Sequence, residues 1–179
     1  MILDKNLDIN TRFSQNIRIY TQKVNNKSDK DTIIISVSII EEILDELLKH
    51  RLAQVSQVAE LPVMSYQSKV DLCFKMELIK SGLRRTLHIF GNLVENFTSP
   101  DNNNGYGNLI VQANILELCK INENDIFNLI LNLVNSAPTI EENYEKVDDL
   151  IEDIGWSGTM KFITSIISAS LVEALVELK

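Results

Sequence analysis

The stretch "TIIISVSIIEEILDELLKHRLAQV" (residues 32–55) decides the fold class. Taken alone, residues 33–40 are β-branched and apolar enough to form a fully buried β-strand. The apolar pattern nevertheless continues at helical spacing through the second half, at Ile43, Leu44, Leu47, Leu48 and Leu52. One long central helix therefore explains both halves. We predict Asp31 as its N-cap, because a carboxylate can accept hydrogen bonds from the first backbone amides of a helix.

The segments that follow show the same three-and-four spacing of apolar residues. We predict a helix in residues 68–80, with Ser65 or Ser68 as its N-cap and Gly82 as its C-cap. The loop "DNNNGYGN" (101–108) and a closing helix that begins at Ser157 or Thr159 are also predicted. The other predicted helices cover residues 83–97, 109–120, 125–135 and 140–154.

Glycine and proline are scarce, with 6 and 3 residues, so the chain lacks the turns that many short strands need. The polar segment of residues 1–30 is predicted to contain one helix, because Phe13, Ile17 and Tyr20 recur at helical spacing. Residues 31–179 are predicted to form a single all-helical domain. The predicted fold class is all-α, a single-domain helical bundle of about seven or eight helices.

Acidic residues are concentrated in the C-terminal part of the chain. Residues 1–100 hold 13 Lys or Arg and 12 Asp or Glu, whereas residues 101–179 hold 4 Lys or Arg and 13 Asp or Glu. The net charge of −8 thus arises in the second part. Because an acidic surface repels phosphate backbones, we expect a protein partner with a basic surface and no direct binding of nucleic acid.

The cysteine pattern and the start of the chain indicate a compartment. Cys73 and Cys119 each lie in an apolar helical pattern, which favours buried free thiols over a disulfide. The first residues lack the basic start and apolar run of a signal peptide. The uncharged residues 162–172 are fewer than the roughly 20 that a membrane span needs. We therefore expect a cytoplasmic protein that does not span a membrane.

The segment "LRRTLHIFGNLVENF" (83–97) is predicted to be an amphipathic helix. Its apolar face consists of Leu83, Leu87, Phe90, Val94 and Phe97, widened by Ile89 and Leu93. The opposite side carries Arg84, His88, Asn92 and Asn96, four residues apart, flanked by Arg85 and Glu95. We call Arg84, Arg85, His88, Asn92 and Asn96 the polar stripe.

The polar stripe has two interpretations, a partner-binding surface or the Arg/His pair of a helical ribonuclease. Ribonucleases of the HEPN type carry an Arg, four to six residues, and then a His. Three residues separate Arg84 from His88, and two separate Arg85 from His88, so neither spacing fits. The stripe is predicted to be a solvated recognition surface, and no catalytic residue is predicted.

Residues 65–97, "SYQSKVDLCFKMELIKSGLRRTLHIFGNLVENF", resemble the core of the mannitol operon repressor-like family. The resemblance rests on Lys69, the apolar pair Leu78-Ile79 and the break at residues 80–82, followed by Asn96 and Phe97. Glu95 and Ser99 stand where the family carries Arg and His. The apolar closing helix is also similar in character. The resemblance implies an all-helical regulatory protein that acts through protein contacts and has no standard DNA-reading module.

Acidic side chains dominate the segment "EENYEKVDDLIEDI" (141–154). Tyr144, Val147, Ile151 and Ile154 are predicted to face the core. We call the remaining positions the acidic face: Glu141, Glu142, Glu145, Asp148, Asp149, Glu152 and Asp153. This face is either only solvated or a docking surface, which could mimic the charge of a nucleic acid and occupy a basic site on a partner.

Two pairs of small residues lie four apart in the closing helix, Ser165/Ala169 and Ser170/Ala174. Small side chains allow another helix to approach closely, either within the monomer or across the seam of a homodimer.

No metal or cofactor site is predicted. The two His and two Cys lie in four separate segments without ligand spacing, and "NNNGYGN" lacks the strand and the Lys-Ser/Thr of a phosphate-binding loop. The predicted function is therefore a non-enzymatic, cytoplasmic regulatory protein that acts through protein contacts. The alternatives are an acidic inhibitor or nucleic-acid mimic that blocks a basic site, and a degenerate HEPN-type ribonuclease.

Overall fold

The structure, a computed structural model, describes residues 18–20, 22–25, 27–55, 62–100, 105–121 and 147–178. Of these residues 87 % are helical and none is in a strand, which confirms the all-α class. The described part contains fewer helices than the seven or eight predicted. The observed elements are α1 (Asp29–Val55), α2 (Tyr66–Lys75), α3 (Ser81–Thr98), a 3-10 turn (Gly105–Gly107), α4 (Leu109–Ile121) and α5 (Val147–Glu177). The helix predicted at 125–135 lies outside the described residues.

Helix α1 is the single long helix that the sequence predicts, and residues 33–40 belong to it. The predicted N-cap, Asp31, is wrong. The backbone N–H of Asp31 donates to Ser28 Oγ at 3.1 Å, so Ser28 is the capping residue and the helix begins at Asp29. Ser28 and Asp31 can both cap a helix and lie three residues apart, and Ser28 is the one that accepts the backbone hydrogen bond. Ser28 Oγ also donates to the Asp31 carboxylate at 2.8 Å, which ties the cap to the first turn.

Helix α2 begins as predicted, with Ser65 Oγ accepting a hydrogen bond from the backbone N–H of Ser68 at 3.2 Å. It ends at Lys75, five residues earlier than expected, so Gly82 is not its C-cap and lies in the first turn of α3. Glu77 takes the left-handed conformation instead, with φ of 59°. The N–H of Glu77 donates to the carbonyl of Phe74, and that of Leu78 donates to Cys73.

Replacing Glu77 with glycine is expected to raise the free energy of unfolding by about 0.5–1 kcal/mol, because glycine adopts positive φ without the steric cost of a Cβ atom. Urea denaturation followed by circular dichroism measures this change. Glu77→Ala is the matched control, since it removes the carboxylate and keeps the Cβ. An equal gain from both substitutions would attribute the effect to charge and contradict the backbone explanation.

Helix α3 buries the apolar face predicted for it: Leu87, Phe90 and Leu93 are fully buried, Ile89 and Phe97 nearly so, and Leu83 and Val94 pack against the core. α2 crosses it closely at Gly91. A Cβ atom at Gly91 would lie 2.5 Å from Gln67 Nε2 and 2.9 Å from Tyr66 Cε1, so the crossing requires glycine. Tyr66 Oη donates to the carbonyl of Leu87 at 3.1 Å and holds the two helices together.

The loop predicted at residues 101–108 contributes to the core. Within it, Tyr106 is buried in the 3-10 turn and contacts Phe97 edge to face, with ring centroids 4.9 Å apart. Aromatic side chains bury large apolar areas, so this contact anchors the connection between α3 and α4. Residues 101–104 of the predicted loop lie outside the described residues.

Helix α5 joins two segments that the sequence predicts as separate helices. A kink at Gly155 marks the boundary between the two predicted helices. Its φ of 69° and ψ of 172° are available only to glycine. Thr159, one of the two predicted N-caps, instead lies inside the helix and donates to the carbonyl of Gly155 at 2.9 Å. Half-buried Ile151, Ile154 and Trp156 pack against the core beside the kink.

The core lies between α1 and α5, with α2, α3 and α4 around them. Residues Ile151–Glu177 form a helix long and apolar enough to cross a membrane, with a mean hydropathy of 1.5, and 61 % of its apolar window is buried inside the bundle. Such burial is what the core helix of a packed bundle shows. Before α1, Tyr20 is 4 % exposed and its hydroxyl lies 2.6 Å from Ser36 Oγ, so part of the N-terminal segment packs on the domain.

Candidate functional site

The described part of the polar stripe is organised around a carboxylate that the sequence analysis did not single out, that of Asp71 on α2. Arg84 donates to Asp71 Oδ1 through Nε at 3.0 Å and through Nη2 at 2.8 Å. His88 Nε2 lies 3.0 Å from the same oxygen. Because an ionised carboxylate only accepts hydrogen bonds, Nε2 carries the proton. The predicted stripe residues thus converge, but on a side chain of their own chain.

The local packing holds this cluster at the surface. The Arg84 guanidinium lies 4.7 Å from the centroid of the Phe74 ring, a cation–π arrangement. The side chains of Asp71, Arg84 and His88 remain about one-third exposed. Hydrogen bonds from Arg84 and then from His88 hold the pKa of Asp71 below its usual range. The carboxylate therefore stays ionised at neutral pH and engages Nε and Nη2 of Arg84 and Nε2 of His88, so a phosphate held by both residues would have to compete with it.

Arg84→Gln is expected to raise the pKa of Asp71 more than His88→Gln does, because Arg84 makes the larger contribution to the shift. Titration of the labelled Asp71 carboxyl carbon by NMR measures both changes. The stability that Asp71 contributes is present above its unfolded pKa and is lost as the pH falls through the lower folded value. If neither substitution moved the titration, the ion-paired geometry would be wrong.

The rest of the polar stripe is more open. Arg85 pairs with Glu117 of α4 at 3.1 Å through largely exposed side chains. Asn92 is exposed, and Asn96 Nδ2 donates to the Asn92 carbonyl at 2.9 Å. These residues extend a polar surface from α2 across α3 to α4, with Arg85 and Asn92 as its exposed predicted members.

The acidic face is only partly covered by the structure. Asp149, Glu152 and Asp153 are exposed on the first turns of α5. Glu141, Glu142 and Glu145 lie outside the described residues, as does the side chain of Asp148. The three visible carboxylates point away from the core, which both interpretations of the acidic face require.

The two pairs of small residues in α5 lie in different surroundings. Ser165 is 7 % exposed and lines a small cavity with Tyr20 and Lys23, so its side chain is used within the monomer. Ala169 is half-buried. Ser170 and Ala174 are also half-buried, and they line a groove beside the turn between α2 and α3. Of the four candidates for a dimer seam, only Ser165 is buried within the monomer, and Ser170 with Ala174 is the pair that lines a groove.

A second charged cluster joins α1 to α2. Lys69 Nζ lies 2.9 Å from Asp45 Oδ1 and 3.5 Å from Glu41 Oε1, and the lysine side chain is only 14 % exposed. Burial opposes the lysine charge, but the hydrogen bond to Asp45 and the field of Glu41 outweigh it and raise the pKa of Lys69. Both carboxylates lie one turn apart on α1, so a single cation serves both. We assign this cluster a structural role.

The described residues give little support for a catalytic cysteine or a metal-binding site. Cys73 and Cys119 are buried thiols that form no disulfide, as predicted. Burial, with the nearby Asp45 charge, raises the pKa of Cys73 to about 12, so its thiolate is not formed at neutral pH. In the described ranges no group of three or more His, Cys, Asp or Glu side chains could hold a metal ion.

No family model, curated protein or solved structure matches the chain.

Proposed function

We propose that this chain is a non-enzymatic regulatory protein that acts by binding another protein through the polar stripe. The observation that carries the proposal is the capture of Arg84 and His88 by Asp71 at 2.8–3.0 Å. An active ribonuclease would need these two side chains free for a phosphate. An Arg–carboxylate pair that stays partly exposed instead suits the polar rim of a protein interface.

The surface around this cluster supports the same proposal. The stripe on α3, together with its partners Asp71 on α2 and Glu117 on α4, offers donors and acceptors on three packed helices, so it can bind a partner without first being ordered. The resemblance of residues 65–97 to mannitol operon repressor-like proteins implies the same mode of action. The proposed location is the cytoplasm. The proposed partner carries a basic surface that meets the acidic C-terminal part of the chain, where residues 101–179 hold 13 Asp or Glu and 4 Lys or Arg, and a separate polar or acidic patch that meets the arginine-containing stripe.

Capture experiments from the native host test the proposal, with the wild-type chain and an Arg85→Glu/Asn92→Glu variant as baits. We expect the variant to lose a partner that the wild type retains, because it reverses a charge and adds another in the middle of the stripe. Lys49→Glu, on the exposed side of α1, is the control and should retain that partner. If all three baits captured the same proteins in equal amounts, the stripe would not be the binding surface.

The two alternatives make different predictions. A nucleic-acid mimic would lose its partner on charge reversal of Asp149 and Glu152, and its binding would weaken steeply with added salt. A degenerate ribonuclease would cleave RNA in a manner abolished by His88→Ala. We expect the purified chain to show no RNA cleavage that depends on His88. Size-exclusion light scattering establishes whether the chain forms a homodimer.

A further inference from the structure

A groove of about 440 Å³ runs between the end of α5 and the turn that joins α2 to α3. One wall is a single face of α5, made by Ser170, Glu173, Ala174 and Glu177. These positions span two helical turns, a length of about 10 Å. The opposite wall consists of Leu78, Ile79, Lys80, Gly82 and Leu83. Leu83 contributes apolar surface and Lys80 an exposed charge. The groove therefore has a small, partly apolar floor and charged rims.

The end of α5 is tied to the end of α1. The carbonyl of Leu178 accepts a hydrogen bond from Gln54 Nε2 at 3.2 Å. On the other side, Leu78 and Ile79 are buried in the core and anchor the turn. The groove thus exists before any ligand arrives, which reduces the entropy cost of binding.

The charges on the α5 rim are unfavourable for the helix that carries them. Glu173 and Glu177 are four apart, so the two exposed carboxylates repel each other. They also lie near the C-terminal end of α5, where the helix dipole disfavours negative charge, and no basic residue occupies its last turn. Among the described residues neither glutamate has an ion-pair partner. Locally unfavourable choices of this kind are typical of binding sites.

We propose that this groove binds an amphipathic helix of another protein. A basic side chain on one flank of that helix would lie between Glu173 and Glu177. A cation there relieves both the repulsion between the glutamates and their conflict with the helix dipole. The small side chains of Ser170 and Ala174 let the incoming backbone approach closely. Lys80 on the opposite rim favours an acidic residue on the other flank and so fixes the direction of the bound helix.

The occupant is a foreign segment and not a second copy of the chain. The net charge is −8, and most of the excess acid lies in the same C-terminal part, so a second copy would bring like charge to an acidic rim. A concave groove also requires a convex partner. This inference rests on the proposed function only in that the chain acts by binding proteins, because the polar stripe and the groove consist of different residues.

Fluorescence anisotropy with two labelled peptides tests the groove directly. The first is a 15-residue amphipathic helix with alanine and leucine on one side and lysine along one flank. The second carries glutamate in place of each lysine. We expect the lysine peptide to bind the wild-type chain at low salt and the glutamate peptide not to bind. Glu173→Lys/Glu177→Lys should weaken binding at least about tenfold.

Glu42→Lys/Glu95→Lys is the matched control, since it changes the net charge equally at exposed positions outside the groove. We expect it to retain most of the affinity. Ala174→Phe, which fills the groove from the α5 wall without changing charge, should also abolish binding. Circular dichroism checks that each variant is folded. The proposal is overturned if the lysine peptide fails to bind, or if the two double variants weaken it equally. Either result leaves the capture experiments on the polar stripe, and hence the proposed function, standing.

Discussion

Replacing Phe90 with alanine is expected to lower the free energy of unfolding by about 4 kcal/mol. Phe90 is fully buried in the middle of α3, where it packs in the core shared with the neighbouring helices. The substitution removes a whole ring from a closely packed interior, so both the transfer free energy and the contacts around the resulting cavity are lost. In a thermal scan the midpoint should fall by roughly 10 °C.

Phe162→Ala is the matched control for this prediction. Phe162 is only partly buried and packs at the edge of the core, so its loss should cost roughly half as much. Benzene, which fits a cavity left by a phenyl ring, should restore part of the stability of the Phe90 variant and none of that of the Phe162 variant. Equal losses at both positions would contradict the placement of Phe90 at the centre of the core.

The helices and their buried faces were predictable because they depend on short-range periodicity. The spacing of Leu87, Phe90 and Phe97 places them on one side of any α-helix, whatever packs against it. The same spacing predicted a helix and not a strand for residues 33–40, because the apolar pattern continues beyond the length of a strand. Local signals of this kind require no knowledge of the rest of the fold.

The contacts that define the candidate site were not predictable in the same way. Asp71 meets Arg84 and His88 only because the turn at Glu77 reverses the chain and brings α2 beside α3. No turn residue in the sequence marks position 77, since glutamate rarely adopts positive φ. The sequence therefore indicated a polar stripe, but not the carboxylate that organises it. The groove beside α5 depends on the same turn.

The N-cap of α1 could not be predicted from the sequence alone either. Ser28 and Asp31 are both good N-caps and lie three apart, so either could begin α1. Both side chains take part in the first turn, and only the geometry distinguishes the cap from its neighbour.

Lys69→Met is expected to lower the free energy of unfolding by about 2 kcal/mol, the second-largest loss that we expect. The substitution keeps most of the apolar stem and removes the only cation that forms an ion pair with Asp45 and Glu41 within the described residues. Breaking a fully buried ion pair costs about 3–5 kcal/mol, and the one-third exposure of these two carboxylates reduces that figure. Urea denaturation at pH 7 measures the loss.

The comparison with Lys49 shows why burial sets the size of this effect. Lys49 pairs with Glu46 at the same 2.9 Å, but its side chain is 53 % exposed, so water replaces the lost partner and Lys49→Met should leave stability within experimental scatter. Because the pKa of Lys69 is raised, its contribution is complete below the unfolded value of 10.5 and is lost only at higher pH.

A double-mutant cycle separates the charge of Lys69 from its packing. If the cost arises from carboxylates left without a cation, Asp45→Asn should destabilise the wild-type chain but restore part of the stability of the Lys69→Met variant. If the cost arose from packing of the lysine stem, Asp45→Asn would lower stability equally in both backgrounds. Additive losses would therefore contradict an ionic link between α1 and α2, whereas a coupling of about 1 kcal/mol or more would support it.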